Sequence, residues 1–101
     1  MLSKDLILDY LKNLKSKLKE DGIDEIGLFG SFAKDSADLY SDIDIVINTN
    51  QNFVKKYRGI DAFIYLDELR ENIRKTFKRK VDICDKSGLK NKNILKEAIY
   101  V

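Results

Sequence analysis

The amino-acid sequence predicts an α/β domain in which helices pack against a short β-sheet. Segments whose apolar residues recur at helical spacing alternate along the chain with short segments rich in β-branched residues. Chains with this alternation bury a sheet under helices. The length of 101 residues corresponds to one small domain, and no internal repeat or linker divides it. We therefore expect residues 1–101 to form a single domain.

The first part of the chain is predicted to form a helix and then a buried strand. Ser3 is a suitable N-cap and Gly22 a suitable stop for a helix whose apolar side chains recur at positions 6, 7, 10, 11, 14 and 18. The apolar residues 26–29 predict a buried strand that turns sharply at Gly30. A short helix should then begin at Ser31.

The middle of the chain contains the clearest strand. Residues 41–47 are rich in β-branched side chains and have polar neighbours, whereas residues 48–52 are turn-like. A helical pattern starts at Phe53, is interrupted at Gly59 and continues to Phe77.

The last part of the chain is predicted to form a third strand and a closing helix. The strand covers residues 80–84 and is broken by Ser87 and Gly88. Apolar residues at positions 94, 95, 98 and 99 then suggest a helix at the end of the chain.

The composition excludes several kinds of site. The sequence has no histidine, so catalytic triads and zinc sites that need histidine are excluded. Cys84 is the only cysteine, so no internal disulfide forms, which fits a reducing compartment. No apolar run is long enough to cross a membrane, and none resembles a signal peptide. We expect a cytoplasmic protein that has no contact with a membrane.

The charge pattern carries no strong nucleic-acid signature. The formal net charge is +2, and the lysines are spread along the chain as on solvated helix faces. The densest basic run, residues 75–80, could meet phosphate or an acidic partner.

Two carboxylates interrupt the clearest strand. Asp42 and Asp44 are two residues apart, so in a strand they point to the same side, roughly 6–7 Å from each other. Two such carboxylates on a buried strand repel each other and are costly to desolvate, and a divalent cation such as Mg²⁺ would offset that cost. The alternative is that both face water as the polar side of an edge strand.

A glycine–serine step precedes this strand. Gly30 lets the backbone turn tightly and approach a ligand, and Ser31 opens a helix whose free N–H groups suit a phosphate. Ser31 could equally be an ordinary N-cap.

A third acid fits the same site. Asp82 interrupts the apolar third strand, and it could complete a metal site with Asp42 and Asp44 or accept a proton from an attacking hydroxyl. Asp85 falls on the opposite face and is the weaker candidate. Phosphate donors beside metal ligands fit two-metal catalysis of in-line displacement at phosphorus.

The Gly30-Ser31 step, followed about ten residues later by Asp42-Ile43-Asp44, resembles the signature of the DNA polymerase beta-like nucleotidyltransferases. The sequence is similar above all to the minimal nucleotidyltransferase (MNT) family, whose members are small antitoxin partners of HEPN-domain toxins. The resemblance extends from about Ile26 to the end of the chain. It implies a minimal nucleotidyltransferase fold, with a small mixed β-sheet flanked by helices.

The resemblance assigns two groups of residues to the site. The nucleotide-binding group consists of Gly30, Ser31, Lys34 and Ser41. The catalytic carboxylates, which would hold two Mg²⁺ ions, are Asp42, Asp44 and Asp82. Lys34 stands where the family usually has arginine. Asp35 stands where it commonly has glycine, and this extra negative charge could weaken nucleotide binding.

The activity that the resemblance implies is magnesium-dependent transfer of AMP from ATP to a hydroxyl. In the antitoxin group the acceptor is a tyrosine of the cognate HEPN ribonuclease toxin, which is thereby neutralised. A partner protein could complete the cleft of so short a chain. Two alternatives stay open. A catalytically weak antitoxin could neutralise by binding alone, with Asp35 as its main support, or a nucleotidyltransferase subunit could act on a small molecule or a nucleic-acid end.

Overall fold

Four strands in the described part of the chain form one mixed sheet, with the long helices on one of its faces. The computed structural model describes residues 2–90 and 93–101. In chain order the elements are α1 (Lys4–Glu20), β1 (Ile23–Phe29), α2 (Gly30–Ala33), β2 (Ile43–Thr49), α3 (Gln51–Lys56), α4 (Ile60–Phe77), β3 (Val81–Asp85) and β4 (Ile99–Tyr100). Two 3-10 turns, Lys86–Gly88 and Asn93–Leu95, lie between β3 and β4.

The sheet has the strand order β3-β2-β1-β4. Strands β2 and β3 are parallel, because α3 and α4 carry the chain back to the edge from which β2 started. Strand β1 is antiparallel to both of its neighbours, β2 and β4. The predicted small mixed sheet flanked by helices is therefore confirmed.

Helix α1 forms where its apolar spacing predicts it. The Ser3 hydroxyl accepts a hydrogen bond from the backbone N–H of Leu6 and caps the helix. The apolar stripe is buried through Ile7, Leu11 and Leu18. The helix ends before Gly22, whose φ of +98° lies in the left-handed region that favours glycine.

The core lies between the sheet and the helices. Ile43, Ile45 and Ile47 alternate along β2 and are fully buried in the main hydrophobic cluster. Helix α1 contributes Leu11 to this cluster, and α4 contributes Ile73. Since side chains alternate along a strand, Asp44 lies on the opposite face of the sheet, away from that core.

The predicted closing helix is wrong. Residues 93–95 form a 3-10 turn, and the chain then forms β4, which pairs Tyr100 with Gly27 and Ile99 with Leu28. A Cβ on Gly27 would lie 2.6 Å from the carbonyl oxygen of Ile99, so this glycine allows the two backbones to approach. Pairing with the open edge of β1 satisfies backbone hydrogen-bonding groups, and this outweighs the local helical spacing.

Two boundaries also differ from the predicted ones. The second strand begins at Ile43 rather than at residue 41, and it continues to Thr49. Helix α3 begins at Gln51, inside the segment predicted as a turn, because the Asn50 side chain caps it by accepting from the N–H of Phe53. Within the described ranges, no helix is both long and apolar enough to cross a membrane.

Candidate functional site

The parallel pairing of β2 and β3 brings two of the predicted acids side by side. Asp44 and Asp82 are directly paired positions in the register of these strands. Paired residues point to the same face, so both carboxylates lie on the face away from the helices. Asp82 is exposed, and Asp44 is partly buried.

The third acid, Asp42, lies in the loop immediately before β2. Burial raises the pKa of the Asp44 carboxyl, and the negative charges of Asp82 and Asp42 raise it further. Among residues 2–90 and 93–101, no lysine or arginine forms an ion pair with Asp44. The three acids therefore form a cluster of negative charge. At Asp44, no basic side chain of the described residues neutralises that charge.

The donor set fits a divalent cation that is shared with a ligand. Three carboxylates supply the hard oxygen atoms that Mg²⁺ prefers, and a cation would relieve the repulsion that raises the pKa of Asp44. In the described part of the chain, no three acidic or cysteine side chains already enclose a common point. Mg²⁺ commonly takes only one or two carboxylates and completes its shell with water and substrate phosphate. The arrangement suits a metal that arrives with a phosphate ligand.

Gly30 packs closely against the Asp44 carboxylate. Its φ of +74° lies in the left-handed region, and a Cβ built at this position would overlap Oδ2 of Asp44 and lie 3.0 Å from its Cγ. Only glycine satisfies both conditions without strain. The turn after β1 and the carboxylate on β2 therefore touch, so a phosphate group bound at this turn would lie next to Asp44.

Ser31 lies in α2, which starts one residue earlier than predicted. The N-cap of this helix is Phe29, without any side-chain capping bond, so the alternative that Ser31 acts as the N-cap is wrong. The Ser31 carbonyl accepts a hydrogen bond from the N–H of Ser36.

Lys34 and Ser41 are engaged elsewhere. The Lys34 ammonium lies 3.9 Å from a carboxylate oxygen of Glu97. The Ser41 hydroxyl donates to the carboxylate of Asp38 and accepts from the Asp38 N–H at 2.9 Å. Both residues lie near the predicted site in sequence, but neither side chain forms a hydrogen bond or an ion pair with the three acids.

Two further aspartates have their own partners. Asp35 adopts a left-handed φ of +57°, the conformation that glycine takes most easily, and its carboxylate pairs with Lys4 at 2.9 Å. Asp85 accepts hydrogen bonds from the Thr49 hydroxyl at 2.6 Å and from the N–H of Ser87. Asp85 therefore stabilises a turn, which agrees with the prediction that it is the weaker candidate for the metal site.

Sequence reasoning missed the role of Arg79. Its guanidinium donates to the carbonyls of Asp38 at 3.0 Å and Ser41 at 2.8 Å, and it stacks over the Phe32 ring. Arg79 thereby fixes the loop that leads into Asp42, and so acts on the site as a positioning residue. The only signal in the sequence was its place in the basic run of residues 75–80, directly before the third strand.

Known proteins resemble this chain over nearly its whole length. The family described as "Nucleotidyltransferase domain" matches residues 10–101. Protein adenylyltransferase MntA of Thermococcus cleftensis is 32% identical over 105 residues, covering 100% of this chain and 98% of that protein. MJ1379 of Methanocaldococcus jannaschii, which also carries a protein adenylyltransferase name, is 32% identical, covering 97% of this chain and 93% of its own.

A solved structure supports the same comparison at the level of the fold. It is described as a minimal nucleotidyltransferase and superposes with a TM-score of 0.71, covering 97% of this chain and 95% of the other. The two sequences are 21% identical. The fold is that of a minimal nucleotidyltransferase.

Proposed function

The chain belongs to the nucleotidyltransferase domain family and is a minimal nucleotidyltransferase enzyme, and from this premise we propose that it transfers AMP from ATP to a hydroxyl group of a partner protein. The observation that carries the proposal is the contact between the Gly30 turn and the Asp44 carboxylate. It sets the turn after β1 directly beside a partly buried carboxylate. The resemblance to proteins named as protein adenylyltransferases supports a protein as the acceptor.

The reaction is a single displacement at the α-phosphorus of ATP. The acceptor oxygen forms a bond to the α-phosphorus while the bond from that phosphorus to the bridging oxygen of the β-phosphate breaks. Pyrophosphate leaves with the electron pair of the broken bond, and the hydroxyl proton passes to a carboxylate. Asp82 is suited to receive it, because it is exposed and paired with Asp44 across the strands.

Each group of residues has a distinct task in this scheme. The turn at Gly30 and Ser31 would bind the phosphates, and Asp42 and Asp44 would hold magnesium. Asp82 would either complete the metal site or receive the hydroxyl proton. When bound, Mg²⁺ lowers the charge on the phosphates and aligns the attacking and leaving oxygens. Without a cation these carboxylates would repel the phosphate chain.

The acceptor that we propose is a tyrosine of a HEPN ribonuclease toxin, which would be silenced by the modification. This assignment rests on the resemblance of the Gly30-Ser31 and Asp42-Ile43-Asp44 motifs to the MNT antitoxins. We place the reaction in the cytoplasm, where ATP is abundant and a free thiol such as Cys84 persists.

An antitoxin that acts by binding alone was supported mainly by Asp35. In the structure the Asp35 carboxylate is paired with Lys4 on α1. A paired carboxylate repels a nearby phosphate less than a free one, so this charge gives weaker support to the alternative than its place in the sequence suggested.

The test combines purified protein, Mg²⁺, labelled ATP and the protein encoded by the neighbouring gene. We expect the neighbour to gain mass in units of AMP, and Asp42→Ala to abolish the gain. Asp9→Asn is a matched control, because Asp9 is an exposed acid on α1. If the neighbour binds tightly but gains no AMP, the chain acts by binding and the proposed chemistry is wrong.

A further inference from the structure

Two large apolar side chains project into solvent directly before the acid cluster. Leu39 is 73% exposed and Tyr40 is 91% exposed, and Tyr40 is only two residues from Asp42. A tyrosine this exposed contributes little to the stability of the fold, because almost none of its apolar surface is removed from water. We refer to these two residues as the Leu39–Tyr40 tip.

The loop that carries the tip is held in one conformation. The Asp38 carboxylate accepts hydrogen bonds from the N–H of Tyr40 at 2.8 Å and from the Ser41 hydroxyl at 3.1 Å. The Ser41 hydroxyl in turn accepts from the N–H of Asp38 at 2.9 Å. These bonds fix both ends of the loop and leave its two apolar side chains outside.

Arg79 ties this loop to the body of the protein. It donates to the carbonyls of Asp38 and Ser41, and its guanidinium lies 5.4 Å from the centre of the Phe32 ring. Phe32 is buried in the core, so the anchor is rigid. The tip is therefore presented in a fixed position relative to Asp42, and a binding partner would lose little conformational entropy of this loop.

We infer that the Leu39–Tyr40 tip is the docking element for the acceptor protein, and that it inserts into an apolar groove beside the hydroxyl to be modified. The inference rests on the proposed function, because it assumes a protein acceptor. A group that receives AMP must come within bonding distance of the phosphate held near Asp42. A contact two residues away sets that position directly. Exposed aromatic side chains on a rigid support are typical anchors of protein interfaces.

The charges around the tip indicate the chemistry of the groove. Lys78 and Lys80 flank Arg79, and both are exposed. The backbone carbonyl of Lys80 accepts from the N–H of Ile43, which places this basic turn beside the loop. A partner with an apolar groove edged by acidic side chains would complement both features. A nucleotide base is a poorer occupant, because a protruding tip covers only one face of a ring, whereas a base pocket encloses it.

The experiment compares the wild-type chain with the double variant Leu39→Ser, Tyr40→Ser, using the protein encoded by the neighbouring gene as acceptor. Initial rates are measured while the acceptor is varied at saturating Mg·ATP, and calorimetry measures binding of a non-hydrolysable ATP analogue. We expect KM for the acceptor to rise at least tenfold, which corresponds to about 1.4 kcal/mol. We expect kcat and the affinity for the analogue to change less than twofold.

Phe63→Ser is the matched control, because Phe63 is also an exposed aromatic residue, with 68% of its surface accessible. Phe63 lies near the start of α4, whereas the acids lie at the edge of the sheet that the chain reaches after the end of α4. Its KM for the acceptor should stay at the wild-type value. An unchanged KM for the acceptor in the double variant overturns the inference. The inference also fails if the double variant weakens only the binding of the ATP analogue, or if Phe63→Ser raises KM more than the double variant does.

The same variants separate failure of the inference from failure of the proposed function. If the wild-type chain binds the neighbour but transfers no AMP, the proposed chemistry has failed. The tip is then tested by the Kd of the complex, which the double variant should weaken at least tenfold. A wild-type chain that neither binds nor modifies this protein overturns both.

Discussion

At the scale of single residues, Gly30 couples two parts of the site that the sequence keeps twelve or more residues apart. Its left-handed φ of +74° turns the chain after β1, and its missing side chain leaves room for the Asp44 carboxylate. Each requirement alone would favour glycine. Together they make the Gly30 turn and the Asp44 carboxylate a single packed unit.

Replacing glycines by alanine should separate these two requirements. Gly30→Ala should destabilise the fold by about 1–3 kcal/mol, because it adds both strain and overlap, and it should lower the transfer rate by displacing Asp44. Urea denaturation and AMP-transfer rates measure the two effects.

Two other glycines provide the controls. Gly59 has a φ of +56° but open space around it, so Gly59→Ala should add strain alone and leave the transfer rate unchanged. Gly88 has open space and no positive φ, so Gly88→Ala should be neutral. A transfer rate in Gly30→Ala equal to that of Gly59→Ala would show that the contact with Asp44 does not matter for catalysis.

At the scale of secondary-structure elements, a buried aspartate joins three helices. Asp21, at the end of α1, is only 2% exposed. Its carboxylate accepts from Lys56 of α3 at 2.9 Å and from the Tyr65 hydroxyl of α4 at 2.8 Å, and Lys17 lies 3.4 Å away. Burial alone would raise the pKa of Asp21, but these three partners lower it to about 2.

We expect Asp21→Asn to lower the free energy of unfolding at pH 7 by about 2 kcal/mol, because Lys56, Lys17 and Tyr65 lose the buried charge that they bind. A depressed pKa stabilises the fold above the unfolded value of 3.8, and that contribution is lost as the pH falls from about 4 to 2. Acid unfolding of the variant should therefore lack this step. Glu20→Gln, at an exposed neighbouring position, is the control. Identical acid-unfolding curves for Asp21→Asn and wild type would contradict the role of this carboxylate.

The elements that the sequence predicts well are those whose pattern is local. Helix α1 and the helix that ends at Phe77 follow from apolar spacing, and β2 follows from its β-branched residues, although its start is shifted by two. Strand β4 was missed because its two residues form a strand only by pairing with β1, and no local pattern encodes that contact.

The candidate site follows the same division. The spacing of Asp42 and Asp44 and the glycine at position 30 can be read from the sequence. The pairing of Asp44 with Asp82 depends on the register of parallel strands 38 residues apart, so the residue pattern marks Asp82 as a candidate without fixing its neighbour. The role of Arg79 depends on carbonyl groups that become neighbours only on folding, so no residue pattern in the sequence predicts it.

At the scale of the whole molecule, the acid cluster lowers the stability of the metal-free fold. Asp44 is partly buried between two other acids, and its pKa is raised by burial and by their charges. A raised pKa means that the unfolded chain releases this proton at a lower pH than the folded chain. Stability of the metal-free protein from this group therefore falls as the pH rises above 3.8. A bound cation would remove that penalty, so ligand binding and folding should be strongly linked.

We therefore expect Mg²⁺ with a non-hydrolysable ATP analogue to raise the thermal unfolding midpoint of the wild-type protein. At a hundredfold excess over Kd the stabilisation is about 2.7 kcal/mol, or roughly 10–20 °C for a domain of this size. Asp44→Asn should be at least as stable as wild type without ligand, because it removes the repulsion, but it should lose most of the shift. Asp61→Asn, an exposed acid on α4, should keep the full shift, and a chelator should reverse it. An equal shift in Asp44→Asn would mean that the ligand binds away from the acid cluster, since a carboxylate that holds the metal cannot be replaced by an amide without weakening it.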